Sequence, residues 1–268
     1  MYEKLDSDSC IIYRFLVPES DRNIGYIISS IESNECIIVD PLDKKIVENI
    51  IKTEKLKPRY IINTHAHPDH IKENSFFMDK YNLKLLAHDS CKELFEFKFD
   101  TIFENDLIKL GKLNIKVLHT PGHCPEHISL MFDNYLLCAD TIFNCGVGNT
   151  KFRGDVTMLF RTIFHKLKNL PDNLNLLVGH DYLYNNILFI ESLFSKQSKI
   201  SNELIKLKEG YKENLLSPVL DIAFEKKHNP FFRIDEFSFL DDLKNKDLFV
   251  NEDISVRFKL LRQLRDEW

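Results

Sequence analysis

The chain has 268 residues, is 44% hydrophobic and carries a formal net charge of −5, enough apolar material for a sizeable core in one large or two modest domains. Its lysines are scattered and not gathered into a basic stripe, which argues against a nucleic-acid partner, and no apolar run reaches the roughly 18 residues that a membrane span needs. The start is acidic and polar where a secretory signal would be basic and then apolar, and the six cysteines lack a C-x-x-C pair, so a cytoplasmic protein with reduced thiols is expected.

In chain order, alternating apolar residues predict strands over 11–17, 25–30 and 36–39, with Asp40-Pro41 closing the third before a helix over about 43–54. The run Tyr60-Ile61-Ile62 leads into Thr64-His-Ala-His-Pro-Asp-His70. A helix over 75–81, a strand over 84–87, a helix over 89–97 and a hairpin around Gly111 follow, then strands over 113–119, 127–132 and 135–139. After Asp140 a long glycine-bearing loop runs to Gly154, a helix over 156–170 stops at Pro171, and a strand over 174–178 is the last. Beyond Tyr184 the pattern is helical, ending in an amphipathic segment in which Arg257, Lys259, Arg262 and Arg265 interleave with Val256, Phe258, Leu260, Leu261 and Leu264. No repeat or Gly/Ser linker is visible, so the expected boundary between domain 1–183 and domain 184–268 rests on this change of periodicity. Strands alternating with helices, then helices alone, fit an α/β sandwich of two mixed sheets followed by a smaller α-helical domain.

The segment 64–70 carries the chemistry. Three imidazoles and a carboxylate lie within six positions at a strand end, with His65 and His67 able to face one ion while Asp69 and His70 face another. Three later strand ends offer further ligands: His123 on the turn Thr120-Pro-Gly-His, Asp140 after Tyr135-Leu-Leu-Cys-Ala, and His180 after Val178-Gly179. Converging strand ends are where open α/β layers build their sites. Cys124, beside His123, is expected to face away, and His88, His119, His127, His165 and His228 match no ligand position.

The set His65, His67, Asp69, His70, His123, Asp140 and His180 resembles the full metal-ligand complement of the metallo-β-lactamase superfamily. Within it, Thr120-Pro-Gly-His123, Asp140-Thr-Ile-Phe143, Gly146-Val-Gly148, Val178-Gly-His-Asp-Tyr182, Asn229-Pro-Phe-Phe-Arg233 and the terminal Leu261-Arg-Gln-Leu-Arg-Asp-Glu-Trp268 resemble glyoxalase II, the hydroxyacylglutathione hydrolases. That resemblance implies an αββα sandwich with its metals at one edge, closed by the helical domain. It implies two divalent ions, zinc first with iron or manganese as alternatives, bridged by Asp140, with Asp69 serving as ligand and not as proton donor. A hydroxide held between the ions would attack the carbonyl of a glutathione thioester of the S-D-lactoylglutathione type, giving glutathione and a 2-hydroxy acid. By the same resemblance Tyr182, Asn149, Lys151, Arg262 and Arg265 hold the glutathione moiety. Asn149 stands where the family commonly has Lys or Arg, so Lys151 or Arg153 is expected to supply that charge, and Ile71-Lys-Glu-Asn74 replaces a small, glycine-rich segment. The alternative is a mononuclear Fe(II) persulfide dioxygenase of the same superfamily, against which the long helical tail argues. A monomer is expected.

Overall fold

The computed structural model describes residues 2–195, 199–250 and 252–268, and these divide into two compact units. The first comprises residues 2–120 and 125–139, the second residues 121–124 and the described residues from 140 to 268.

In the first unit, β1 (Glu3–Asp6), β2 (Cys10–Leu16), β3 (Ile24–Ser30) and β4 (Glu35–Val39) pair antiparallel in succession. Helix α1 (Lys44–Thr53) then crosses to β5 (Lys57–Ile62), which pairs parallel to β4. Short α2 (Pro68–Ile71) and α3 (Asn74–Tyr81) precede the parallel strands β6 (Lys84–His88) and β7 (Asp100–Ile102), completing a seven-stranded mixed sheet. Val47, Ile50 and Ile51 of α1 and Phe77 of α3 pack with Phe15, Ile27, Ile38, Ile61 and Leu85 of the strands in one buried cluster. Burying such side chains stabilises by roughly 1.5–3 kcal/mol each, the main force holding the helices to the sheet. The second run, β8 (Leu107–Leu110), β9 (Leu113–His119), β10 (Ile128–Phe132) and β11 (Tyr135–Ala139), is an antiparallel meander.

The second unit contains a two-stranded hairpin of β12 (Ile142–Phe143) and β13 (Gly146–Val147), helix α4 (Val156–Arg161) and strand β14 (Asn175–Val178). Among the described residues, six α-helices follow: α5 (Leu183–Leu193), α6 (Asn202–Gly210), α7 (Ile222–His228), α8 (Pro230–Arg233), α9 (Phe237–Asp241) and α10 (Ile254–Glu267). Asp155, Asp221 and Asp253 cap α4, α7 and α10, each side chain accepting from backbone N–H groups of the first turn. Among the described residues, no helix is long and apolar enough to cross a membrane.

Beyond the short strands β1 and β7, which the sequence pattern does not announce, three expected segments turn out differently. The helix over 89–97 is a single 3₁₀ turn, Asp89–Cys91. Phe95, Phe97 and Phe99 recur at every second residue, an extended repeat, and all three pack against the first-unit core. The helix over 156–170 stops being α-helical after Arg161, continuing as a π-helical stretch, Thr162–Lys166, and a 3₁₀ turn, Leu167–Asn169. There the Thr162 hydroxyl donates to the Pro121 carbonyl at 2.6 Å, and Phe160 and Phe164 both meet the Phe258 ring, with centroids 5.5 and 6.3 Å away. The loop after Asp140 holds the β12–β13 hairpin, too short to register as a periodic pattern.

Candidate metal centre and cation-lined cavity

In the first unit, parallel register sets the geometry. Val39 lies opposite Ile62, so β4 and β5 end together and deliver Asp40 and the segment 63–70 to one place. His67 precedes α2, whose first residue is Pro68, and Asp69 and His70 fall in its single turn. His65 and His70 are buried, and one ligand atom from each of Asp40, His65 and His70 lies within 4.8 Å of the others. His65 Nε2 is 3.0 Å from His67 Nδ1, and His70 Nε2 is 3.6 Å from Asp69 Oδ2.

The opposite ring nitrogens are occupied. Asp40 Oδ2 lies 2.9 Å from His70 Nδ1, while its carboxylate also accepts from the Thr64 amide at 2.8 Å and the Thr64 hydroxyl at 2.5 Å. The same Thr64 hydroxyl lies 3.0 Å from His65 Nδ1, and Asp69 Oδ2 accepts from Asn23 Nδ2 at 2.8 Å.

The second unit gathers His123, Asp140 and His180, all buried. Asp140 Oδ2 is 3.6 Å from His123 Nε2 and 3.3 Å from His180 Nε2, so one carboxylate oxygen faces both imidazoles. His123 Nδ1 donates to the Asn149 carbonyl at 2.7 Å, and His180 Nδ1 lies 3.1 Å from the Tyr182 hydroxyl, whose ring stacks on His180 with centroids 5.0 Å apart. Two glycines permit the approach. A Cβ on Gly122, at φ +143°, would lie 2.4 Å from the Leu159 Cα, and one on Gly148 would lie 2.0 Å from the Asp140 carbonyl oxygen.

This donor chemistry fits divalent metal ions. Nitrogen and carboxylate donors converge in each cluster, and the outer nitrogens of His65, His70, His123 and His180 are oriented by a hydroxyl, a carboxylate, a carbonyl and a phenol. Such outer partners fix the tautomer and ring orientation of metal-ligating histidines. Asp40 and Thr64 were not among the sequence candidates. Asp40-Pro41 at a strand end was visible only as a break before α1, and its partnership with His70 depends on β4 lying beside β5.

Also within the second unit is a cavity of about 230 Å³ lined by Phe143, Asn149, Lys151, Tyr182, Arg262 and Arg265, together with Asn186, Asp266 and Trp268. All five sequence candidates for substrate contact line it. Arg262 is buried, its Nη1 donating to the Val147 carbonyl at 3.0 Å and its Nη2 to Asp266 Oδ1 at 3.0 Å, and burial lowers its guanidinium to about 10. Arg265 lies between the rings of Phe189 and Trp268, at 5.4 and 5.0 Å from their centroids, and burial lowers its pKa as well. Asn149 contributes its carbonyl to His123 and its side-chain oxygen to the Lys151 amide at 3.0 Å. The first unit has a larger cavity, about 510 Å³, lined by Phe95, Phe97, Phe99 and Lys84 among others, but no histidine is among its lining residues.

Comparison with known proteins agrees with this architecture. Residues 19–180 match the metallo-β-lactamase superfamily model, and residues 181–268 match the model described as hydroxyacylglutathione hydrolase C-terminus. A protein of Nitrosococcus oceani named hydroxyacylglutathione hydrolase is 32% identical, the alignment covering 92% of this chain and 95% of that protein. One of the same name from a Polaromonas species is 31% identical over 96% of this chain and 100% of its own length. The crystal structure of ETHE1 from Myxococcus xanthus superposes with a TM-score of 0.65 at 19% identity, covering 98% of this chain and 91% of that one, a likeness of fold. The chain thus belongs to the metallo-β-lactamase superfamily and, within it, to the hydroxyacylglutathione hydrolase family of thioester hydrolases. Its fold is the mixed-sheet α/β fold of that superfamily with a helical C-terminal domain, and its His/Asp groups imply divalent metals.

Proposed function

We propose that the protein hydrolyses a glutathione thioester of the S-D-lactoylglutathione type, using two divalent ions, zinc first, held by His65, His67, Asp69, His70, His123, Asp140 and His180. The observation that carries this reading is the cavity in which Lys151 and Arg265 stand beside Tyr182, since glutathione brings two carboxylates and relatives of the chain are named for hydrolysing its thioesters. Two divalent ions supply, when bound, an acidified water as nucleophile at neutral pH and positive charge for the developing oxyanion, together worth several kcal/mol.

The chain's own residues do the rest. Asp140, with one oxygen facing both His123 and His180, would hold a metal ion together with those histidines, and Asp69, whose carboxylate accepts from Asn23, would serve as a ligand and not as a proton donor. Lys151 and Arg265 bind the glutathione carboxylates, while Arg262 secures the backbone at Val147 in the lining of the same cavity. Tyr182 orients His180 through its hydroxyl and lines the thioester's path. The leaving thiolate needs no general acid, because a thiol with a pKa of about 8.5 is already a good leaving group. In this reading the metal ligands lie in 1–183, and the carboxylate contacts come from both parts, Lys151 in 1–183 and Arg265 in 184–268. The reading carries with it a cytoplasmic monomer that binds neither nucleic acid nor membrane.

The test is thiol release from S-D-lactoylglutathione by the purified protein, with metal content measured on the same sample and His67→Ala as control. Release that requires metal and is lost in the control is the expected result. A metal-filled protein that releases no thiol overturns the assignment, and oxygen uptake with glutathione persulfide would then identify the dioxygenase alternative.

A further inference from the structure

The segment that follows Asp140 is captured one backbone group at a time. At the tip of the β12–β13 hairpin, Cys145 sits at φ +62°, a left-handed conformation that costs a non-glycine residue roughly 1–2 kcal/mol. Its amide donates to the Glu225 carboxylate, 3.0 Å from both oxygens. On either side, the Asn144 carbonyl accepts from Asn186 Nδ2 at 2.9 Å and the Gly146 carbonyl accepts from Asn229 Nδ2 at 3.0 Å. Asn229 Nδ2 also donates to Glu225 Oε2 at 2.7 Å, four residues back along the chain. Arg262 then takes the Val147 carbonyl, and the Asn149 carbonyl takes His123 Nδ1.

Glu225 is fully buried, and the Cys145 amide and the Asn229 side chain that donate to it are both neutral. A carboxyl in such a place is costly, since transferring it from water loses several kcal/mol of solvation. Neither the metal ligands nor the cation-lined cavity includes it. The group it holds, however, is five residues from Asp140 and four from Asn149, in a stretch where Gly148 packs on the Asp140 carbonyl at contact distance.

We propose that Glu225, with Asn229 one turn later, is a positioning residue for the metal centre: by holding the Cys145 amide it fixes the segment 140–149, which carries Asp140 and presents the Asn149 carbonyl to His123. This deepens the proposed function and rests on its assignment of Asp140 and His123 as ligands. Removing the carboxylate frees the strained turn at Cys145, the Asn149 carbonyl loses its fixed position, and His123 loses the partner that orients its ring.

The experiment compares full-length wild type with Glu225→Ala and Glu225→Gln by hydrogen exchange of peptides covering 140–149 and by zinc affinity in chelator competition. In Glu225→Ala, exchange across 140–149 is expected to rise at least about tenfold while peptides of β2 to β5 are unchanged, and zinc affinity to fall about 10–100-fold, the usual effect of removing an outer-shell partner. Glu225→Gln keeps an acceptor for the Cys145 amide and sets its own amide against Asn229, so it should lie between the two. Should the alanine variant fail to fold, the glutamine variant decides. Raised exchange confined to 140–149 together with weaker zinc binding supports the assignment, whereas wild-type exchange there, or looser structure with unchanged zinc affinity, overturns it. Both readouts need no substrate, so a wild-type protein that binds zinc but releases no thiol would sink the thioester reading without touching this one.

Discussion

Asp40 illustrates how one side chain can serve a site without belonging to its obvious motif. Its carboxylate accepts from the Thr64 amide and hydroxyl and lies 2.9 Å from His70 Nδ1, which leaves His70 Nε2 directed at the ligand cluster. Asp40→Ala is therefore expected to weaken zinc binding about 10–100-fold while the protein stays folded, with Asp40→Asn intermediate because it keeps an acceptor but loses the charge. Chelator competition reads the effect, and unchanged affinity in both variants would reduce Asp40 to a packing residue. Gly148 makes the complementary case for space. Its missing Cβ would lie 2.0 Å from a backbone oxygen of Asp140 and 3.2 Å from His123 Cβ, and backbone cannot swing aside as a flexible side chain can. Gly148→Ala should lower both the melting temperature and zinc affinity. Gly210, at the end of α6 with nothing within 4 Å, is the control: alanine there should be neutral or stabilise by up to about 1 kcal/mol. Equal effects at the two positions would count against the close-approach argument.

At the scale of elements, α7 presents a buried acid to a strained turn, and the consequence depends on pH. Burial pushes the Glu225 carboxyl up to about 8 from an ordinary 4.5, against hydrogen bonds from the Cys145 amide and Asn229 that favour the charged form, and the Asp221 charge pushes in the same direction as burial. Between those two values the folded state holds the proton more tightly than the unfolded state, so this group makes stability fall as pH rises from about 4.5 to about 8. Glu225→Gln does not titrate, so the stability difference, variant minus wild type, should move in favour of the variant between pH 5 and pH 8. Denaturation midpoints at the two pH values measure it, and a difference independent of pH would refute the raised value. None of this was legible in the sequence around the turn. The hairpin is only two residues per strand, and what holds it arrives from Asn186, Glu225 and Asn229, far along the chain. The metal loop was legible for the opposite reason: its ligands are local, His65 to His70, and follow a strand whose apolar run is unmistakable. The segment 89–97 misled because its charges are compatible with a helix, while its phenylalanines, spaced two apart, follow the core of the first unit.

For the whole molecule, the proposed function sets the metal ligands and the cation Arg265 on different stretches of sequence. In the proposed function the ligand set ends at His180, while Arg265, assigned with Lys151 to the glutathione carboxylates, sits on α10 beside Arg262, within the region matched to the hydroxyacylglutathione hydrolase C-terminus. The net charge of −5 gives an anionic substrate no long-range attraction to the protein as a whole, so in the proposed function recognition would fall to a few cations packed on rings and carbonyls inside one cavity. Arg265 is held by Phe189 and Trp268 on its faces and by Asn186 Oδ1 at 3.4 Å, an arrangement that fixes the guanidinium before any ligand arrives. A charge-assisted contact of this kind contributes about 1.5–3 kcal/mol, or roughly 10–100-fold in affinity, and a substrate end remote from the reacting carbonyl contributes it equally in ground and transition states. Arg265→Ala should then raise KM for S-D-lactoylglutathione by about 10–100-fold with kcat and zinc stoichiometry nearly unchanged, whereas His67→Ala should abolish turnover and lower zinc content. Steady-state kinetics with metal analysis on both variants makes the comparison. If Arg265→Ala lowered kcat and left KM alone, the cavity would act on the transition state, and the separation of recognition from chemistry would have to be abandoned.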